Sequence, residues 1–66
     1  MKLTNTQKEL IESCLSKGVI ILNDFWKFYS TQQSITRVGE RLQTMGILKQ
    51  DEHGNLIINK SVYLSL

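Results

Sequence analysis

Eight residues in the middle of the chain have side chains of the types that proteins use to bind nucleic acid. They are Lys27, Gln32, Gln33, Ser34, Thr36, Arg37, Arg41 and Lys49. Glutamine can pair with adenine, arginine can pair with guanine, and serine or threonine can bond to a base or a phosphate. Lysines that flank such a segment typically contact phosphates, although Lys27 and Lys49 fit ordinary surface positions equally well. Positive charge is concentrated here, because four basic residues and one acidic residue lie between positions 27 and 49.

Residues that could act in catalysis or bind a metal are few and scattered. Cys14, the only cysteine, falls on the apolar stripe of a predicted first helix, and His53 falls in a predicted turn. The sequence has no glycine-rich phosphate loop, no pair of histidines spaced for zinc and no pair of carboxylates on one predicted face. We therefore expect no enzymatic activity, no cofactor and no metal site.

A third helix over about residues 31–45 would hold most of the candidate residues. Its apolar positions recur at helical spacing, at Ile35, Val38, Leu42 and Met45. Ser30 and Gln33 predict a capping box at its start, and Gly46 suits a left-handed position at its end. Gly39 is unusual inside a helix, and we expect it to permit close packing of the second helix or, as the alternative, close approach to a backbone.

Two shorter helices and a strand are predicted before this segment. Thr4 or Thr6 can cap the first helix. The β-branched run over residues 19–22 predicts a short buried strand. Asn23 or Asp24 is then expected to cap the second helix.

A β-hairpin is predicted after the third helix. Its extended runs begin at Ile47 and Leu56, and they are joined by a turn in which Gly54 and Asn55 both tolerate a positive φ. The apolar tail over residues 61–66 is compatible with a third strand, a helical turn or a docking segment.

The whole chain resembles a minimal winged helix-turn-helix domain of the kind found in MarR-like and ArsR-like regulators. The phrase RLQTMGIL, from Arg41 to Leu48, is similar to the leucine, three-residue gap, glycine and two aliphatics that end a recognition helix. The resemblance implies a single domain over residues 1–66, with an α+β fold of three helices and a C-terminal β-hairpin wing. It also implies a third helix that enters the major groove of double-stranded DNA.

We therefore expect a small DNA-binding protein, either a transcriptional regulator or an accessory of replication or recombination. The hairpin should add little affinity, because Asp51 and Glu52 beside its turn would repel phosphate. The alternative is a protein-interaction module of the same fold without DNA binding. The acidic hairpin and the net charge of only +2 leave this alternative open.

The length and the apolar residues lead to further expectations. A chain of 66 residues has room for one domain with a small core. Phe25 and Phe28 should fill that core and leave Trp26 partly exposed, so that Trp26 and the apolar tail form a homodimer contact. No apolar run is long enough to span a membrane, and the N-terminus lacks a hydrophobic signal core. We expect a cytoplasmic protein with no membrane partner.

Overall fold

The α+β class is confirmed by a computed structural model, which describes residues 2–66. The described residues form four helices and a three-stranded antiparallel sheet. In chain order the elements are α1 (Asn5–Cys14), β1 (Val19–Ile20), α2 (Leu22–Trp26), α3 (Gln32–Thr44), β2 (Leu48–Gln50), β3 (Leu56–Ile58) and α4 (Lys60–Leu64). The predicted order of helix, strand, helix, helix and hairpin is therefore correct, and a short fourth helix follows it.

The first helix begins at a capping box, and Thr4 is its N-cap. The Oγ1 of Thr4 accepts a hydrogen bond from the backbone N–H of Gln7 at 3.1 Å. The Gln7 Oε1 in turn accepts from the backbone N–H of Thr4 at 3.0 Å. The two bonds satisfy two N–H groups that no earlier helical turn can serve, and they decide between the two predicted caps.

The sheet joins distant parts of the chain, because β3 lies between β1 and β2. Val19 pairs with Ile57 on one side of β3, and Leu48 pairs with Ile58 on the other side. The predicted strand over residues 19–22 is wrong in its second half. Ile21 and Leu22 leave the sheet and are about half exposed, at 50% and 51%. They leave it because α2 begins at once.

The predicted caps of α2 and α3 are both wrong by a few residues. The N-cap of α2 is Ile21 instead of Asn23 or Asp24, because the Asp24 carboxylate accepts the Ile21 N–H from inside the helix at 2.9 Å. The N-cap of α3 is Thr31 instead of Ser30, and its Oγ1 accepts from the Ser34 N–H at 3.1 Å. Each helix therefore begins where a side-chain oxygen is three residues from the N–H that it accepts.

The end of α3 agrees with the prediction from its glycine. Gly46 has a φ of 82°, in the left-handed region. The N–H of Ile47 donates to the carbonyl of Leu42 at 3.0 Å, and the N–H of Gly46 donates to the carbonyl of Gln43 at 3.0 Å. This pair of bonds is the Schellman arrangement, and it turns the chain directly into β2.

The hairpin turn is formed differently from the prediction at one residue. Gly54 has a φ of 81°, whereas Asn55 is not among the described residues with a positive φ. The Asn55 side chain instead donates from Nδ2 to the Oδ2 of Asp51 at 3.1 Å. Asn55 therefore stabilises the turn through its amide group and needs no special backbone conformation.

One apolar core joins α1, α2, α3 and the sheet. Its buried members are Leu3, Leu10, Ile11, Cys14, Ile20, Phe25, Ile35, Val38, Leu42, Ile47, Leu48 and Ile58. The predicted core positions of Cys14 and Phe25 are confirmed, and Phe28 packs against this core. Gly39 is buried, but a Cβ added there would meet no atom of residues 2–66 within 4 Å. Close packing of the second helix against Gly39, one of its two expected roles, is therefore wrong.

The tail forms α4, which is the helical option of the three that its sequence allowed. Its first turn is capped by the Asn59 Oδ1, which accepts from the N–H of Val62 at 3.4 Å. The Tyr63 hydroxyl donates to the Glu12 Oε1 at 3.0 Å and so connects α4 to α1. None of the helices within residues 2–66 has the length and apolar character needed to cross a membrane.

Candidate nucleic-acid interface

Three of the candidate residues form one row on the outer face of α3. Gln33, Arg37 and Arg41 are four residues apart, so they lie one above another along the helix, and all three are exposed. Neither guanidinium has an ion-pair partner within residues 2–66. The core contacts of α3 are made by its opposite, buried face, so they do not cover this row. We call these residues the α3 row.

Two other candidates lie on the flank of the same helix. The Nε2 of Gln32 donates to the Oγ1 of Thr36 at 3.4 Å. Both side chains line a groove between α3 and the hairpin, with a volume of about 420 Å³. We call this the α3–hairpin groove. The predicted site is therefore divided between the α3 row and the groove.

The α3–hairpin groove has mixed walls. Its lining residues are Ile20, Ile21, Leu22, Phe25, Gln32, Ile35, Thr36, Gly39, Glu40, Gln43, Gly54, Asn55 and Leu56. Glu40 is the one charged residue among them. The sequence interpretation did not include Glu40 and Gln43 in the site, although both continue the spacing of Gln32 and Thr36 along the helix. That spacing was the signal that could have identified them.

The main contacts of Ser34 are with Thr31 in the cap at the start of α3. It is half-buried, and its hydroxyl oxygen lies 2.9 Å from the Thr31 Oγ1, which donates to it. Its backbone N–H donates to the same Thr31 oxygen. The hydroxyl can still donate one hydrogen bond outward, but its position is determined by the helix cap.

The two candidate lysines lie outside α3 and differ in their surroundings. Lys27 follows α2, and its Nζ lies 4.0 Å from the Oδ1 of Asp24, although the side chain is 72% exposed. Lys49 is exposed on β2, and it has no ion-pair partner within residues 2–66. Lys49 is therefore the freer of the two cations for an external anion.

The carboxylate of Asp24 is a buried acidic group near these residues, and its pKa is shifted. Burial raises the pKa of Asp24, whereas the hydrogen bond from the Ile21 N–H and the contact with the Lys17 ammonium lower it. The lowering effects together are larger, so the pKa lies below its ordinary value. Asp24 thus stays ionised and holds the positive charge of Lys17 nearby, at 2.7 Å. This pair supports the start of α2 and presents no free charge to a ligand.

The hairpin tip is acidic and well ordered by its own hydrogen bonds. The Oδ1 of Asp51 accepts from the backbone N–H of His53 at 2.9 Å and from that of Asn55 at 2.8 Å. The Asn55 N–H is the main cause of the lowered pKa of Asp51. Glu52 is 87% exposed, and the His53 Nε2 lies 3.8 Å from its carboxylate. The tip therefore presents negative charge to any ligand.

Comparisons with protein-family models, curated proteins and solved structures found no match to this chain.

Proposed function

We propose that the protein binds double-stranded DNA through the α3 row, as a small winged helix-turn-helix regulator or an accessory factor of replication or recombination. The observation that supports this most directly is the exposed row of one amide and two guanidinium groups, which form no ion pairs with other groups in residues 2–66. An α-helix fits the major groove, where glutamine can pair with adenine and arginine with guanine.

The order of elements gives a second line of support. Two helices, α2 and α3, are joined by a short turn, and a β-hairpin follows α3. In winged helix-turn-helix proteins the second helix of such a pair enters the major groove and the hairpin is the wing. Lys49, at the base of the hairpin on β2, adds a cation for phosphate.

A homodimer is part of this proposal. The net charge of +2 offers few cations to one DNA site, and each phosphate contact adds to the salt-dependent affinity. Two copies would double the contacts. Exposed apolar surface for such an association lies in two separate places, at Trp26 on α2 and at Leu64 and Leu66 in the tail.

The alternative function is a protein-interaction module, and one observation favours it. Glu40 lies beside the half-exposed Ile21 and Leu22 in the α3–hairpin groove. A carboxylate repels phosphates, and exposed aliphatic side chains suit a protein surface better than a polyanion.

A titration of labelled random duplex DNA at low and high salt tests the proposal. We expect binding at low salt that weakens steeply as salt is added, because counterions are released from the phosphates. The double variant Arg37→Ala/Arg41→Ala should bind more weakly and with a smaller salt slope. Lys2→Ala/Lys8→Ala is the matched control, since it removes the same charge from exposed residues outside α3.

Two outcomes would contradict the proposal. The wild-type protein could fail to bind duplex DNA at low salt, which favours the protein-interaction module. The two double variants could also lose equal affinity. Binding would then depend on net charge alone and would not involve the α3 row.

A further inference from the structure

No contact within residues 2–66 explains why position 39 is a glycine. Glycine in a helix interior is less stable than alanine by about 1 kcal/mol. Gly39 is buried, its φ is not positive, and a Cβ added there would meet no atom of residues 2–66 within 4 Å. The space above it belongs to the α3–hairpin groove. Because Gly39 has no side chain, a group of another molecule has room to approach the backbone of α3.

The outer face of α2 is apolar and lies next to this groove. Leu22 and Trp26 are four residues apart, so they share one face of the helix, and they are 51% and 43% exposed. Asp24 and Phe25 are buried on the other face. Leu22 also lines the groove, together with the half-exposed Ile21. Leu22 therefore belongs both to the exposed face of α2 that carries Trp26 and to the lining of the groove.

We propose that two copies of this chain associate through α2, with Trp26 of each copy placed in the α3–hairpin groove of the other, over Gly39. Two α2 helices packed antiparallel bring the Trp26 of one copy opposite the Leu22 of the second copy, and the reverse contact forms by symmetry. A twofold interface requires such a self-complementary patch. Gly39 lines the groove without a side chain, which leaves room there for an indole ring.

Charge also favours a second copy of this chain as the occupant of the α3–hairpin groove. The residue after Trp26 is Lys27, whose side chain is 72% exposed. Glu40 is the one charged residue that lines the groove. Because Lys27 is next to Trp26 in sequence, the proposed interface would bring a cation of one copy to the side of the groove that holds this carboxylate. The chain therefore contains both the apolar group and the cation that suit the groove.

This inference deepens the proposed homodimer, and it does not depend on DNA contact. It assigns the interface to α2 and the groove. The tail is the competing surface, since Leu64 and Leu66 are 71% and 63% exposed and line a separate cleft with α1 residues. The test is therefore made without DNA, so that the absence of a dimer can be distinguished from the absence of DNA binding by the α3 row.

The experiment measures mass by light scattering and Trp26 emission over a concentration series from micromolar to millimolar. Trp26 is the only tryptophan, so its fluorescence reports directly on its own burial. We expect the mass to double as protein concentration rises, with a simultaneous shift of the emission to shorter wavelength. Leu22→Lys should weaken association about tenfold or more. Leu64→Lys, the same change at an exposed leucine of the tail, should leave both signals as in the wild type.

Gly39→Ala provides a variant whose folding is not at risk. The added methyl meets no described atom within 4 Å but occupies the floor of the groove. We expect association to weaken about fivefold or more. The inference is overturned if the wild type stays monomeric, if the mass doubles without a change in Trp26 emission, or if Leu64→Lys abolishes the dimer and Leu22→Lys does not.

Discussion

The ammonium of Lys17 and the carboxylate of Asp24 form an ion pair that joins the end of the first helical segment to the start of α2. The Lys17 Nζ lies 2.7 Å from the Asp24 Oδ2, and the same oxygen accepts the Ile21 N–H at 2.9 Å. The Asp24 side chain is 7% exposed and the Lys17 side chain is 43% exposed. One buried oxygen therefore stabilises both the helix cap and the corner of the chain between α1 and α2.

Asp24→Ala should lower the free energy of unfolding by about 1–3 kcal/mol, because the Ile21 N–H loses its acceptor and the cap of α2 is lost. Asp24→Asn keeps an oxygen for that N–H but removes the charge, so its effect should be smaller. Urea denaturation at neutral pH measures both. Equal stability of Asp24→Ala and the wild type would show that the carboxylate does not stabilise the fold.

The Asp24 carboxylate should also make stability depend on pH in the acidic range. Its pKa in the folded protein lies below the ordinary 3.8, so the ionised form is favoured by folding. The contribution is fully present above that ordinary value and is lost as the pH falls through the lowered pKa. Denaturation between about pH 5 and about pH 2 should show a smaller loss in Asp24→Asn than in the wild type. Asp51, whose pKa is also lowered, accounts for a remaining loss in the variant.

Arg37→Ala should weaken DNA binding without a change in the fold, because Arg37 is exposed and lies opposite the buried face of α3. If Arg37 contacts a base edge, the loss should be about 1–3 kcal/mol and preference at one base pair should relax. If it contacts a phosphate, binding should weaken evenly across sequences and the salt slope should decrease by about one unit.

His53→Ala at the acidic hairpin tip is the control for this measurement and should change affinity far less. Both variants can be compared on the same labelled duplexes. Normal binding by Arg37→Ala, with binding abolished in His53→Ala, would mean that the hairpin and not α3 recognises the DNA.

Two glycine substitutions should change stability in opposite directions. Gly39→Ala should stabilise the protein by up to about 1 kcal/mol, because alanine favours the helix and the added methyl meets nothing. Gly46→Ala should destabilise it by about 1–2 kcal/mol, because its φ of 82° is unfavourable for a residue with a Cβ. Thermal or urea denaturation measures the pair at a protein concentration low enough that the wild type and both variants are monomeric, because weaker association of Gly39→Ala would otherwise lower its apparent stability. A destabilised Gly39→Ala would show that the space above Gly39 is not open.

Tyr29→Phe should raise the free energy of unfolding, by up to about 1 kcal/mol. The Tyr29 hydroxyl is buried and has no hydrogen-bond partner within residues 2–66. Burial also raises the pKa of this phenol, since the charged form is poorly solvated. A buried polar group without a partner lowers stability, and phenylalanine removes the group while keeping the ring. A loss of stability in Tyr29→Phe would mean that the hydroxyl does have a partner in solution.

Local contacts made much of the helical architecture predictable from the sequence alone. The capping box of Thr4 and Gln7 joins residues three apart, and the end of α3 depends on Gly46 and its immediate neighbours. The apolar period of α3 likewise indicated which face is buried, and therefore which face holds Arg37 and Arg41. These features depend on groups within one helical turn, so the residue types indicated where helices begin and end to within one to three residues, although the exact caps needed the structure.

Only the tertiary structure decided where the chain leaves the sheet and which residues line the α3–hairpin groove. Ile21 and Leu22 have the residue types of a buried strand, yet they are exposed because Asp24, held by Lys17, starts α2 at that point. Val19 pairs with Ile57 from the far end of the chain, and no local pattern specifies that partner. Burial depends on which elements pack together across the fold. The same amino-acid types can therefore form core in one arrangement and exposed surface in another.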